Sequence, residues 1–468
     1  MTPCLKNDCT YVPVADFYVG KSVFITGGTG FLGKVFIEKL LYNCSGIENI
    51  YVLIRKKKNH DHEVRIKQIL DNPLFQRIKE KRPEDFKKII PIEGDTTAPN
   101  LGISIQNEKT LIDKVSVVFH TAATVKFNEE LKVAFNINLE GTKKVINLCQ
   151  RMKNLQAFVH VSTAFSNPEK KFVEEIIYPP PMELSEVYKY LEQKNETDVT
   201  KIIGNFRDLR NLLIITSIII IYYYIIIHNS MFHLFLGHHP NTYTFTKALT
   251  ETYLLRNHGN LPTAIVRPSI VLPYKEEPMQ GWLDNYNGAT SFLVGAAKGL
   301  HRIMGGDGSN IAATIPVDYI ANLSIVVATR CERYVLSLKF FFILFVTDGF
   351  YPKVLFLKST FLIKIFVYIL QIIPAYLCDF WRLMKGKKPR YIMLQNRLIA
   401  ATNISQYFTS HSWVFDVSRA NELWATLSPD DQKMFPYNPR DVNWKSFTKN
   451  YCAGVKKYLL THKNDTKE

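Results

Sequence analysis

Between Gly20 and Leu41 the chain reads GKSVFITGGTGFLGKVFIEKLL, and this stretch constrains the fold more than any other. The apolar run Val23-Phe24-Ile25 has the character of a buried parallel strand. It breaks into Thr26-Gly27-Gly28-Thr29-Gly30-Phe31-Leu32-Gly33, after which Val35, Phe36, Leu40 and Leu41 recur at helical spacing. Strand, glycine turn and helix together make a dinucleotide phosphate site. Gly27 allows the tight turn, Gly30 lets the backbone approach a pyrophosphate, and Gly33 lets helix and strand pack closely. The helix start at Phe31 and Leu32 offers free N–H groups and a partial positive charge to the phosphates. The Gly-x-x-Gly-x-x-Gly spacing is the short-chain dehydrogenase variant of the fingerprint.

With 468 residues, the chain is comfortable as two domains. A net charge of +16 suits anionic partners, and no nucleic-acid motif stands out, so acidic lipid head groups and phosphate-bearing cofactors are favoured. Seven cysteines lie between Cys4 and Cys452 without a C-x-x-C pair, which argues against a zinc site or a disulfide framework and for a reducing compartment. The first residues lack the continuous apolar core of a secretory signal.

Further apolar strands follow at Asn49 to Arg55, Ile89 to Glu93, Val115 to Phe119 and Ala157 to Val161. Their alternation with helical patterns predicts a Rossmann-like, doubly wound parallel sheet of the α/β class, with a smaller substrate lobe. The second strand ends not in an acid but in Arg55-Lys56-Lys57-Lys58, cations suited to a ribose 2′-phosphate, which favours NADPH over NADH. Asp95 is placed along the adenine, and small residues such as Ala122 after the next strand leave room for the cofactor over the sheet edge.

Downstream, Ser162-Thr163 ends a strand and Tyr243 precedes Lys247 by four residues, so both share one helix face. A free phenol titrates near 10 and exchanges protons poorly at neutral pH. An ammonium beside it is expected to lower that value into the working range. Thr163 or Ser162 can then hold a substrate carbonyl while hydride arrives.

With these blocks in view, the chain resembles the alcohol-forming fatty acyl-CoA reductases, extended short-chain dehydrogenases, and is most similar to insect members. TGGTGFLGKV, VVFHTAATVKF, VAFNINLEGT, AFVHVSTAFSN, HPNTYTFTKALTE, AIVRPSIV, GAAKGL and IPVDYIANL carry the likeness over Tyr18 to Leu323. A second block runs from Phe361 to Leu460. The resemblance implies a cytosol-facing enzyme on an endoplasmic reticulum or peroxisome membrane that reduces long-chain acyl-CoA with two NADPH to a primary alcohol, releasing CoA. It implies that Tyr243 protonates the oxygen, Lys247 lowers its pKa and holds the ribose, Thr163 or Ser162 positions the carbonyl, and Asn138 shapes the proton path. Arg267, Pro268 and Ser269 are expected at the nicotinamide end. It divides the chain into a catalytic domain at 15–330, a connection at 331–360 and a mainly helical reductase-specific domain at 361–460, with a membrane-associated helix near 361–381. A sterol or nucleotide-sugar dehydrogenase, or an inactive membrane-tethered NADPH-binding protein, are the rival readings; the C-terminal block disfavours the first and intact Thr163, Tyr243 and Lys247 the second.

Two segments depart from the family. Residues 212–236 carry no charge from Leu212 to Ile227, too short a run for a span, and read as a retained intron or gene-model error rather than as a bilayer crossing or a lipid-facing hairpin. The connection at 331–360 is unusually hydrophobic, with Phe340-Phe341-Phe342-Ile343-Leu344-Phe345 at its centre.

Overall fold

A computed structural model describes residues 11–56, 61–196, 235–306, 310, 312–331, 336–340, 343–344 and 354–460. The hydrophobic insertion at 212–236 lies outside the described residues except for Phe235 and Leu236, which pack with Tyr190 and with Phe245 of the helix Thr242–Asn257.

Seven strands form one parallel sheet: β1 (Ser22–Thr26), β2 (Asn49–Ile54), β3 (Ile89–Glu93), β4 (Val115–His120), β5 (Ala157–Val161), β6 (Thr263–Pro268) and β7 (Leu336–Phe340). Their spatial order is β7-β6-β5-β4-β1-β2-β3, so the order reverses between β1 and β4, the crevice where open α/β sheets bind nucleotides. The strands read as unbroken apolar runs because both faces are covered. In β1, Val23 and Ile25 join one core while Phe24 joins the opposite one; in β2, Ile50, Val52 and Ile54 oppose Tyr51 and Leu53 in the same way. The sequence reading takes 331–360 as a connection alone. In fact Leu336 to Phe340 supplies the edge strand, with Leu338 opposite Val266.

The C-terminal part is helical, as its sequence implies. Thr360–Met384 runs as one rod with a π-turn at Tyr368–Ile372, and Tyr391–Ser410 packs beside it. A short strand at Val414–Phe415 pairs with Phe172–Val173, tying this part to the segment after β5. The helix Trp444–Gly454 returns to the sheet's main core, where Gly281 and Gly454 touch backbone to backbone.

Candidate active site

The glycine turn is built as close to its own backbone as chain chemistry allows. Gly27 has φ +75°, and a Cβ there would meet Thr121 Oγ1 at 2.6 Å and the Ala122 nitrogen at 2.7 Å. At Gly33 a Cβ would lie 2.3 Å from the Gly27 carbonyl oxygen, so this glycine packs the helix on the turn itself. The helix Phe31–Asn43 starts at Gly30 without a side-chain cap, which leaves its first N–H groups for an anion. This cradle fits a dinucleotide pyrophosphate. The Phe31 ring turns away to stack on Trp282 at 5.4 Å, so what Phe31 offers the phosphates is backbone, and Leu32 packs against the core. Thr26 is wholly buried, its hydroxyl 2.6 Å from His120 Nδ1 and accepting the Ala122 N–H, so it braces the loop from beneath.

Arg55 is exposed at the end of β2, and its carbonyl accepts from Arg65, which arrives on the helix His62–Leu70. Two guanidinium groups therefore flank that strand end; the second is legible only once the helix folds back. Lys57 and Lys58 lie outside the described residues. One oxygen of the Asp95 carboxylate, Oδ1, accepts from the N–H and hydroxyl of Thr97, both at 2.9 Å, and stabilises its own turn.

Tyr243 and Lys247 stand on the helix Thr242–Asn257, whose first turn is fixed by Asn241 Oδ1 accepting the Thr244 N–H at 2.9 Å. The Lys247 ammonium is buried against the sheet and donates to the Val161 carbonyl at 2.7 Å, one residue before Ser162. Burial brings its pKa down to about 8, with Glu251 holding it up. The phenol moves opposite to the expectation. Burial pushes Tyr243 up to about 12, a hydrogen bond with the Thr163 hydroxyl pulls the other way, and Glu251 adds to the rise. Desolvation of the buried hydroxyl is the largest influence and outweighs the Thr163 hydrogen bond. The tyrosine is thus held as a neutral acid, the form a proton donor requires.

Asn138 is buried beside the helix that carries Tyr243. It lies inside a π-turn, Asn136–Glu140, where its side chain accepts the Thr124 N–H at 2.9 Å and donates to Thr246 at 3.0 Å on the catalytic helix. Its carbonyl accepts from Thr142 and Thr250, and Thr142 continues to His120 Nε2 at 2.9 Å. Ser162 and Ser269 are buried, with hydroxyls that find no partner among the described residues. Pro268 ends β6, opposite Phe340 of β7.

Arg267 needs correction. It is wholly buried and pairs with Glu251 through Nε at 2.8 Å and Nη2 at 2.6 Å, while Nη1 donates to the Ile176 carbonyl. With its fork committed in this way, it anchors the catalytic helix to the sheet instead of facing the nicotinamide. Glu251 is four residues beyond Lys247, so the i, i+4 pattern that marks Tyr243 and Lys247 extends to it.

Aromatic side chains on the far side of Tyr243 escape the sequence reading. Phe127 stacks on Tyr243 at 5.7 Å, Phe408 lies 5.3 Å from Phe127, and Phe165 and Trp413 close the cluster around Phe408. Phe408 comes from the C-terminal helix Tyr391–Ser410, so the C-terminal part reaches Tyr243 through Phe127.

Family models described as "Male sterility protein" match residues 25–324, as an NAD-binding unit, and residues 370–462. Fatty acyl-CoA reductase 1 of Xenopus laevis is 34% identical across 96% of this chain and 86% of its own length. The chain belongs to the fatty acyl-CoA reductase family. The human reductase 1 and the mouse reductase 2 are each 33% identical over the same shares. Among solved structures, the reductase domain of a nonribosomal peptide synthetase from Mycobacterium tuberculosis superposes with TM-score 0.56 at 17% identity, covering 93% of this chain and 91% of that one. The terminal reductase domain of the myxalamid pathway gives 0.55 at 16%, covering 94% and 91%. These two share the fold, and the family membership makes this reductase an oxidoreductase with a nicotinamide cofactor.

Proposed function

We propose that this reductase converts long-chain acyl-CoA to a primary alcohol by two reductions at one site, with NADPH as the preferred donor. The observation that carries the reading is the buried Tyr243–Lys247 pair meeting Thr163 beside the glycine cradle, in a chain about one-third identical to named fatty acyl-CoA reductases.

A nicotinamide held at the glycine cradle would supply hydride to the carbonyl carbon, one NADPH for each of the two reductions. In the first, the Thr163 hydroxyl holds the carbonyl oxygen and the neutral Tyr243 phenol gives it a proton. The resulting hemithioacetal collapses when Tyr243 takes that proton back; the carbonyl re-forms, and CoA leaves as thiolate. Tyr243 is then an acid again for the aldehyde, whose reduction yields the alcohol and leaves a phenolate that regains its proton from solvent. Lys247 sets the helix against β5 through its Val161 contact, and its ammonium is the group that would hold the nicotinamide ribose. Asn138 and its π-turn position the same helix through Thr246 and Thr250. Arg55 and Arg65 flank the strand end where a 2′-phosphate would sit and support the NADPH preference.

Phe127 and Phe408 would give the acyl chain an apolar wall beside Tyr243. The catalytic unit is taken as 15–330, the connection as 331–360 and the C-terminal unit as 361–460. One described helix, Thr360–Met384, is long and apolar enough to cross a membrane, and it supports association with a membrane lipid surface. Incubating the full chain with palmitoyl-CoA and NADPH tests the reading: two NADPH consumed per alcohol formed supports it, and NADPH oxidation with no alcohol or no oxidation at all overturns it.

A further inference from the structure

The helix Thr360–Met384 is inverted relative to an ordinary surface helix. Its most apolar window is 11% buried among the described residues, and Phe361, Ile365, Tyr368, Ile369, Phe380 and Trp381 are exposed. The residues it buries are Gln371, Ala375 and Asp379, spaced four apart on one stripe. Both polar members of that stripe hold the protein. Gln371 Oε1 accepts the Arg302 N–H at 3.1 Å. Asp379 accepts three backbone N–H groups, from Arg390 at 2.6 Å, Tyr391 at 2.9 Å and Ile392 at 2.8 Å, and so caps the helix that delivers Phe408 to the site.

An ordinary surface helix turns its apolar stripe inward and its polar face to water. Here the polar stripe is inward and the apolar face outward, which water penalises and hydrocarbon does not. At a rise of 1.5 Å per residue the rod is roughly 37 Å long, enough to cross a bilayer. A crossing, however, would strip Gln371 and Asp379 of these partners and leave a carboxylate in hydrocarbon. Lying flat keeps every one of those bonds. The helix ends in Lys385-Gly386-Lys387-Lys388-Pro389-Arg390, all exposed, beside Trp381 and Tyr376 of the aromatic kind found at membrane interfaces. Clustered cations next to an apolar face match an anionic leaflet.

We propose that Thr360–Met384 lies in the plane of an anionic membrane leaflet, its Gln371–Asp379 stripe on the enzyme and its apolar face in lipid, without crossing. This rests on the reading of a membrane-associated enzyme above. Membranes from cells expressing the full chain with Ser359→Cys or Pro389→Cys are treated with a membrane-impermeant maleimide, and the labelled peptide is identified by mass. Both positions should label before detergent is added. If one labels only after permeabilisation, the helix crosses and the orientation is wrong while membrane association stands. If the chain is not recovered with membranes at all, both readings fall. Purified chain should also bind phosphatidylcholine vesicles containing phosphatidylserine in preference to neutral ones. Changing Lys385, Lys387 and Lys388 together to Glu should weaken that binding on the order of tenfold or more. Equal binding of the variant would overturn the electrostatic part, and an unchanged far-UV spectrum would show that the variant remains folded.

Discussion

The two flanks of Tyr243 differ in how far along the chain their parts are drawn from. On the cofactor flank, the glycine cradle, its helix and the end of β2 come from one run between Ser22 and Arg65, each element following the last. On the substrate flank, Phe127, Phe165, Phe408 and Trp413 come from three distant segments and meet only because the C-terminal part folds back. A phosphate site needs backbone placed to within tenths of an ångström, which a continuous strand–turn–helix provides. An acyl chain needs apolar surface, which any set of aromatic side chains brought together can provide. The cofactor flank therefore tolerates little substitution, while the substrate flank can change to suit another chain length.

The largest effect should fall on the part both flanks share. Arg267→Ala leaves the Glu251 carboxylate buried without its partner, and loss of one member of such a pair costs about 3–5 kcal/mol. Denaturant unfolding should show that loss, and a change within error would mean the pair is not what holds the catalytic helix. On the cofactor flank, Arg55→Asp should narrow or invert the NADPH-to-NADH preference by about 1–3 kcal/mol, read from the ratio of kcat/KM for the two cofactors. An unchanged ratio would remove Arg55 from the 2′-phosphate site.

On the substrate flank, Phe408→Leu keeps an apolar side chain but loses the ring over Phe127. It should raise KM for long-chain acyl-CoA roughly three- to tenfold, as expected for about 0.5–1.5 kcal/mol from an aromatic pair, and leave NADPH affinity unchanged. A matching loss of NADPH affinity would mean that the two flanks are not separable. The smallest effect is on pH. With Lys247 near 8, kcat/KM should fall as pH rises through that value, because the ammonium loses its proton; the phenol, near 12, stays protonated throughout. Glu251 holds the lysine's pKa up, so Glu251→Gln should move the alkaline limb to lower pH, and a limb that moves upward would contradict this arrangement.

The sequence revealed the first flank because its signals are local. An apolar run buried on both faces, a glycine spacing and a helical repeat are each visible within twenty residues. Tyr243 and Lys247 were legible as an i, i+4 pair for the same reason, and Glu251 completes that series. What was not legible depends on tertiary placement. Arg267 lies beside a proline at a strand end, as a cofactor residue would, yet its direction is set by a carboxylate on another element. The shift of Tyr243 depends on how much protein surrounds the hydroxyl, which no spacing records. The edge strand Leu336–Phe340 was hidden because its hydrophobic neighbours made the whole connection look alike. Phe127 and Phe408 are 281 residues apart by number (408 − 127), and nothing in either neighbourhood points to the other.

The central claim is that one tyrosine serves both reductions, and Tyr243→Phe supplied separately with palmitoyl-CoA and with the corresponding free aldehyde tests it most directly. The ring still has Phe127 to stack against, so folding and NADPH binding should be retained. Both substrates should be reduced about 10²–10⁴-fold more slowly, the range general acid catalysis supplies, with no build-up of aldehyde from the thioester. Near-normal reduction of the aldehyde, alongside a failed reduction of the thioester, would show that the second step draws its proton elsewhere and would contradict the single-site account.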